Sequence, residues 1–240
     1  MTPAGPLRAQ AGGGAGRSAE RVLGATAASA LSVYADALAH QAAGQSAATV
    51  VRFEHCAARP LAVGRWVAGA DVVDEHALAA LDGPVLDVGC GPGRHLHALA
   101  RRGVFGLGVD LCPAAVALAR GRGANAIVGS IFGEVPRGGL WRSALLLDGN
   151  IGIGGDPARL LQRIVSLLAP GGAILVELAA PETDTVQTLA RLETASAVSE
   201  WFAWAEVSAA SIGELAEPAG VQVSDVWQNR GRWFALLLAP

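Results

Sequence analysis

The densest cluster of residues suited to ligand chemistry is Val85-Leu-Asp-Val-Gly-Cys-Gly-Pro-Gly93, with glycines at 89, 91 and 93. Without a Cβ, glycine lets the backbone turn tightly and approach a ligand closely. A helix that follows such a turn offers free N–H groups and a positive dipole end. That cradle accepts a pyrophosphate or a carboxylate equally well. Asp110 comes 17 positions after Gly93. This is close to the spacing at which an acid ending the next strand accepts hydrogen bonds from both ribose hydroxyls. A dinucleotide fingerprint, G-x-G-x-x-G, would need its third glycine one position later, where Arg94 stands. Either feature alone could be an ordinary tight turn or a loop Asp. Together they point to a nucleoside-bearing ligand that is not NAD.

These residues need a β-α-β frame, and the pattern supplies one after Gly83. Pro84–Val88 reads as an apolar strand, followed by a helix over Pro92–Arg102. Val104–Val109 is a strand ending at Asp110, and Pro113–Arg120 a helix with proline in its first turn. Ala126–Val128 and Ser143–Leu147 read as strands. Asp156-Pro157 opens a helix to Leu168, Pro170-Gly171-Gly172 stops it, and Ala173–Glu177 is the next strand. Ser211-Ile-Gly-Glu214 fits a capping box. Val221–Trp227 and Arg232–Leu238 read as a closing antiparallel pair. Apolar strands alternating with helices imply an α/β fold with a mostly parallel, buried sheet.

Before Gly83, residues 1–20 are rich in Gly, Ala and Pro and are expected to form a flexible tail. Residues 21–82 are expected to form a helical lid segment, with a helix over Leu23–His40, a short strand over Thr49–His55 and a helix over Asp74–Leu81. Residues 83–240 form the ligand-binding domain. The 182–207 stretch is longer than a strand-to-helix connection needs and is expected to be a cap hairpin.

The formal net charge is −3, all 18 basic residues are arginine, and no basic run stands out. A nucleic-acid surface is therefore not signalled. Cys56, Cys90 and Cys112 have no C-x-x-C spacing, which argues against a disulfide framework or a zinc site. No secretory signal or membrane span is read, so a cytoplasmic location is expected.

From Gly83 onward the chain resembles the class I S-adenosylmethionine (SAM)-dependent methyltransferases. Asp87–Gly93 is similar to their motif I, Val109-Asp110 to the ribose-binding acid, and Leu145–Asp156 to motif IV beside the sulfonium. Leu167–Glu177 resembles the helix, Pro-Gly-Gly turn and fifth strand. The resemblance implies a Rossmann-like, mostly parallel seven-stranded sheet with helices on both faces and an antiparallel C-terminal strand. It implies SAM as cofactor, with contacts from Asp87, Gly89, Cys90, Gly91, Gly93, Asp110, Leu111, Ser130, Ile131, Asp148 and Asn150. Gly129-Ser130 replaces the usual Gly-Asp after the third strand, so the adenine is expected to be held by backbone and by Ile131 and Phe132. Motif IV reads Asp-Gly-Asn-Ile-Gly rather than Asn-Pro-Pro-Tyr, which argues against methylation of a base or glutamine amide.

The acceptor is expected to be a small molecule methylated at O, N or C. The competing expectation is a SAM-binding regulatory or scaffold protein without catalysis. Arg65, Trp66, Trp201 and Trp204 are candidate acceptor contacts, and Arg191 and Glu193 candidate polar groups beside them. His55, Glu177 and Glu193 are candidate bases. His95 and His97 are expected on a helix surface. No metal is expected, and homodimer formation is left open.

Overall fold

The computed structural model describes residues 28–45, 48–54 and 56–240; the expected tail over 1–20, the start of the first helix and His55 lie outside the described residues. In chain order the elements are α1 (Ala30–Ala42), β1 (Val50–Phe53), β2 (Arg59–Pro60), α2 (Val63–Val67), α3 (Val72–Leu78), β3 (Val85–Val88), α4 (Arg94–Arg101), β4 (Gly106–Asp110), α5 (Pro113–Gly121) and β5 (Ala126–Val128). Then come β6 (Trp141–Leu146), α6 (Pro157–Val165), β7 (Leu168–Leu178), β8 (Val186–Glu193), β9 (Phe202–Glu206), α7 (Ile212–Ala216), β10 (Gln222–Asn229) and β11 (Arg232–Leu238).

A seven-stranded sheet runs β10-β11-β7-β6-β3-β4-β5. Pairing among β5, β4, β3, β6 and β7 is parallel, and β11 enters antiparallel between β7 and β10. The order steps outward from β3 in both directions. A crevice therefore opens beyond the carboxyl ends of β3 and β6, where ligands bind in open α/β sheets. All four residues of β3 are buried, as a central parallel strand requires. Burial of Leu86, Val88, Ala144, Leu146, Ile174 and Val176 from β3, β6 and β7 builds one core layer; Val85, Leu145, Leu175 and Phe234 face the other.

The expected hairpin is half of a second sheet. β8 and β9 join the N-terminal strands in the order β2-β1-β8-β9, all antiparallel. An ion pair between Arg59 of β2 and Glu206 of β9, at 2.6 Å, links the two edge strands, so this sheet must curl. Three local expectations change. Ser211 caps α7 without a side-chain hydrogen bond, so the expected capping box there is absent; the box belongs instead to Asp71 and Asp74 at α3. α6 stops at Val165, short of Leu168. The Pro170–Gly172 turn then lies within β7 as an irregularity in its pairing with β6.

Candidate functional site

Backbone geometry explains the glycines. Gly89, Gly91 and Gly93 take φ of +68°, +52° and +80°, conformations that L side chains rarely adopt. A Cβ on Gly89 would lie 2.7 Å from the Asn150 amide, and one on Gly93 2.8 Å from Ala119 of α5. The loop is thus pressed between motif IV and α5. Above Gly91 the nearest atom to such a Cβ is the Tyr34 hydroxyl at 3.1 Å. α1 therefore places the chain's only tyrosine over the cradle.

Asp110 ends β4 as the spacing predicts. Its Oδ2 accepts the Gly91 N–H and its Oδ1 the Cys112 N–H, both at 2.8 Å. Each carboxylate oxygen keeps a second acceptor site for a ribose hydroxyl. Cys112, at the α5 N-cap, makes no side-chain cap; the Asp110 carboxylate satisfies its amide instead. Leu111 is exposed, whereas Ile131 is packed into the core. Ser130 Oγ accepts the Phe132 N–H at 3.2 Å. The apolar surface left at this end belongs to Leu111 and to Phe132, which would meet a Cβ on Gly154.

Asp87 is fully buried beneath the glycine loop, and its Oδ2 has no hydrogen-bond partner. Burial raises its pKa to about 6; His95 lowers it and Asp148 raises it. His95 is buried between two acids, with Nδ1 3.9 Å from Asp87 and Nε2 3.7 Å from Asp74. The expected helix-surface position holds for His97 and not for His95.

The motif IV residues are already engaged. Asn150 Nδ2 donates to the carbonyls of Val88 at 2.8 Å and Gly89 at 3.0 Å, joining the two loops. Asp148 has φ +57° at the end of β6. It receives a forked pair from Arg94 at 2.9 and 2.8 Å and a third hydrogen bond from Arg65 at 2.6 Å. Arg94 also donates to Asp74 at 2.7 Å. Arg232 forks onto Glu177 at 2.8 and 2.7 Å and reaches Asp74 at 2.8 Å. Burial pushes the Asp74 carboxyl up, but His95, Arg94 and Arg232 outweigh it and hold the carboxyl well below the ordinary range. Burial likewise pushes the Glu177 carboxyl up, and the Arg232 fork, with the Asp148 N–H and Arg65, outweighs it and holds the carboxyl low. An acid so firmly ionised and paired is a poor proton acceptor, so Glu177 does not suit the role of base. Glu193 fares no better: it is bound by Arg52 and Arg191 and also held low.

The aromatic candidates separate. Phe202 and Trp204 share one face of β9, in edge contact at 6.1 Å, and Trp204 lies against Gly152 of the motif IV loop. Trp201 lies beneath the Arg191 guanidinium at 4.6 Å, on the outward side that carries Glu193 and Arg52. Strand alternation forces this split between positions 201 and 204. Trp66 and Arg65 sit on α2, with Trp66 edge-on to Tyr34 at 5.9 Å. Arg94, Asp74, Arg232 and Tyr34 were not predicted as site residues. Adjacency to the glycine loop could have flagged Arg94, and the Asp71-x-x-Asp74 cap spacing could have drawn attention to Asp74; no local signal marks the other two.

Two surface clefts of about 370 and 290 Å³ share Gly103, Val104 and Phe105. They lie at the opposite pole, before the starts of β3 and β4, where open α/β sheets do not bind ligands.

The fold and the strand-end cradle define a Rossmann-like architecture. Residues 85–172 match the methyltransferase-domain family. No curated protein matches the chain. Among solved structures, a SAM-dependent methyltransferase from Bacteroides fragilis in complex with S-adenosyl-L-homocysteine is similar at 21% identity and a TM-score of 0.72, covering 90% of this chain and 98% of that one. The CcbJ methyltransferase from Streptomyces caelestis is similar at 16% identity and 0.56, over 73% and 92% of the two chains. CalS10 from Micromonospora echinaspora, an amino pentose methyltransferase with SAM bound, follows at 21% and 0.52, over 70% and 89%. The domain match and the fold together make this chain similar to the SAM-dependent methyltransferases.

Proposed function

We propose that this protein transfers a methyl group from SAM to a small-molecule acceptor. The observation that carries the reading is the cradle: three left-handed glycines over a buried, unpartnered Asp87 oxygen, with Asp110 at the next strand end. Those residues fit SAM. The glycine amides and Asp87 suit its methionine end, Asp110 its ribose, and Leu111 with Phe132 its base. SAM supplies an electrophilic methyl on a sulfonium whose leaving group is already good. The chain's work is then mainly alignment, which can supply about 7–11 kcal/mol. Asp148 and Asn150, held by Arg94, Arg65 and the β3 carbonyls, fix the motif IV loop rather than reach freely for a ligand.

Trp204 and Phe202 form the acceptor wall beside that loop. Apolar rings with few polar groups suit a small molecule better than a macromolecule. Two relatives act on small molecules or bind the demethylated product, as their names state. The test incubates the protein with SAM and a metabolite pool and looks by mass spectrometry for a gain of one methyl. Methylated product together with S-adenosyl-L-homocysteine (SAH) supports the reading. SAM binding without consumption by any pool would favour the non-catalytic alternative. Trp204→Ala should lower turnover while leaving SAM affinity intact; equal loss of both would place the ring in the scaffold.

A further inference from the structure

We infer that His95 is a positioning residue that acts on the cofactor through Asp87: Asp74 fixes the imidazole, and the imidazole sets the charge that Asp87 presents to the cofactor's ammonium. This rests on the reading that the chain binds SAM. His95 is the second residue of α4 and is buried, with 4% of its surface exposed. Its Nε2 lies 3.7 Å from Asp74 Oδ1, and its Nδ1 3.9 Å from Asp87 Oδ2. A ring with hydrogen on both nitrogens matches a carboxylate on each side. The two acids are unequal. Asp74 is satisfied without the imidazole: Arg94 donates to it at 2.7 Å, Arg232 at 2.8 Å and the Asp71 N–H at 3.1 Å. It is a fixed anion, and the group facing one ring nitrogen orients the other.

Asp87 has no such support, since its Oδ2 is buried without a hydrogen-bond partner. Around it stand His95 and Arg94 from α4, Asp148 beyond β6, Asp110 at the end of β4 and the Cys90 thiol, which burial keeps protonated. Burial, Asp148 and Asp110 favour the neutral form of Asp87; His95, and after it Arg94, favour the ion. Arg94 is already committed to Asp74 and Asp148. Among the described residues His95 is then the group that answers Asp87 directly. An ionised carboxylate holds an ammonium far better than a neutral carboxyl does. A side chain that tips Asp87 toward the ion therefore governs how well the amino end of the cofactor is held, without touching it.

Calorimetry on the full chain at pH 6 and pH 8, with SAH and with 5′-methylthioadenosine, tests this. The second ligand keeps the adenosine and the thioether but lacks the amino-acid end. His95→Gln keeps a polar side chain and removes the imidazole. It should weaken SAH about fivefold at pH 6 and by less than about twofold at pH 8, where Asp87 ionises without help. Methylthioadenosine affinity should not respond at either pH. In an Asp87→Asn background, His95→Gln should change SAH affinity no further. Equal loss of SAH at both pH values, or a loss shared by methylthioadenosine, would make His95 a packing residue and overturn the assignment. Unchanged SAH affinity at pH 6 would overturn it as well. If the wild type binds neither ligand, the cofactor reading itself fails and takes the assignment with it. Should His95→Gln not fold, the imidazole nitrogen shifts of the wild type decide by NMR at pH 6. Adding SAH should move them in the wild type and leave them in place in Asp87→Asn; the same response in both proteins would overturn the assignment.

Discussion

Asp87 and Asp110 stand within one loop of each other, yet their surroundings give them different tasks. Asp110 has both oxygens on backbone amides, so it shapes the loop whatever role the proposed ribose contact adds. Asp110→Ala should therefore weaken SAH binding by about 1–3 kcal/mol and also lower stability by a similar amount, because the Gly91 and Cys112 amides lose their acceptor. Calorimetry and urea unfolding separate the two effects. Asp87 behaves oppositely. Its pKa, raised to about 6 by burial, means that the folded state keeps a proton the unfolded chain has released. Stability from this group is present below the ordinary carboxylate range and lost as pH rises through about 6, by about 3 kcal/mol. Relative to Asp87→Asn, the wild type should grow less stable from pH 4 to pH 7 in urea titrations. Saturating SAH, whose ammonium favours the ionised acid, should flatten that slope. A parallel pH dependence in both proteins would remove Asp87 from the account. Asp74 and Glu177 titrate in the other sense: held low by arginine, they stabilise the fold above the ordinary range and release that stability as pH falls below it.

Among the elements, the join between motif IV and the second sheet is tightest at Gly152. A Cβ there would come within 2.1 Å of the Ala205 carbonyl oxygen and 2.7 Å of the Trp204 ring. Backbone on one side and a packed ring on the other leave nowhere to move. Gly152→Ala should push β9 from the loop, with a cost of about 1–3 kcal/mol typical of overpacking. Turnover should fall further than SAH affinity, because the cofactor cradle lies on the far side of Asn150. An unchanged melting temperature and rate would contradict this packing. The elements themselves were largely legible from local spacing. β5 falls on Ala126–Val128 as expected, and the closing β10–β11 pair shifts by only a residue or two. What lay hidden was pairing at a distance. The 182–207 hairpin was readable, but its union with β1 and β2 is set by tertiary register. Trp201 and Trp204 look like one wall in sequence; alternation about β9 separates them. Ile131, expected near the adenine, is buried in the core beside the half-buried Phe132, a placement that spacing alone does not reveal.

At the scale of the whole molecule, the buried arginines matter more than the composition suggests. Arg94 is nearly inaccessible and serves Asp74 and Asp148 together. Removing it takes one arginine from each of two carboxylates and leaves Asp74 to Arg232 and Asp148 to Arg65, so Arg94→Met should cost about 1–3 kcal/mol, measured by urea unfolding. Arg94→Lys should not rescue it, since an ammonium cannot fork onto Asp148 while reaching Asp74. A loss under 1 kcal/mol would show that the network is dispensable. No helix among the described residues is long and apolar enough to cross a membrane.

Asp74, on the N-terminal segment, is gripped by Arg232 from 158 positions away at the other end of the chain. That single carboxylate ties α3 to β11 and, through Arg94, to Asp148 at the end of β6. The segment before Gly83 is therefore not a free hinge at its α3 end. Local opening there would have to break the same ion pairs that global unfolding breaks. Amides of α3 should consequently exchange with solvent at rates near those of the central strands, while α1 and α2, held by fewer charged contacts, open on their own. The boundary of the moving part of this protein would then fall between Val67 and Val72, inside the segment rather than at its junction with the core.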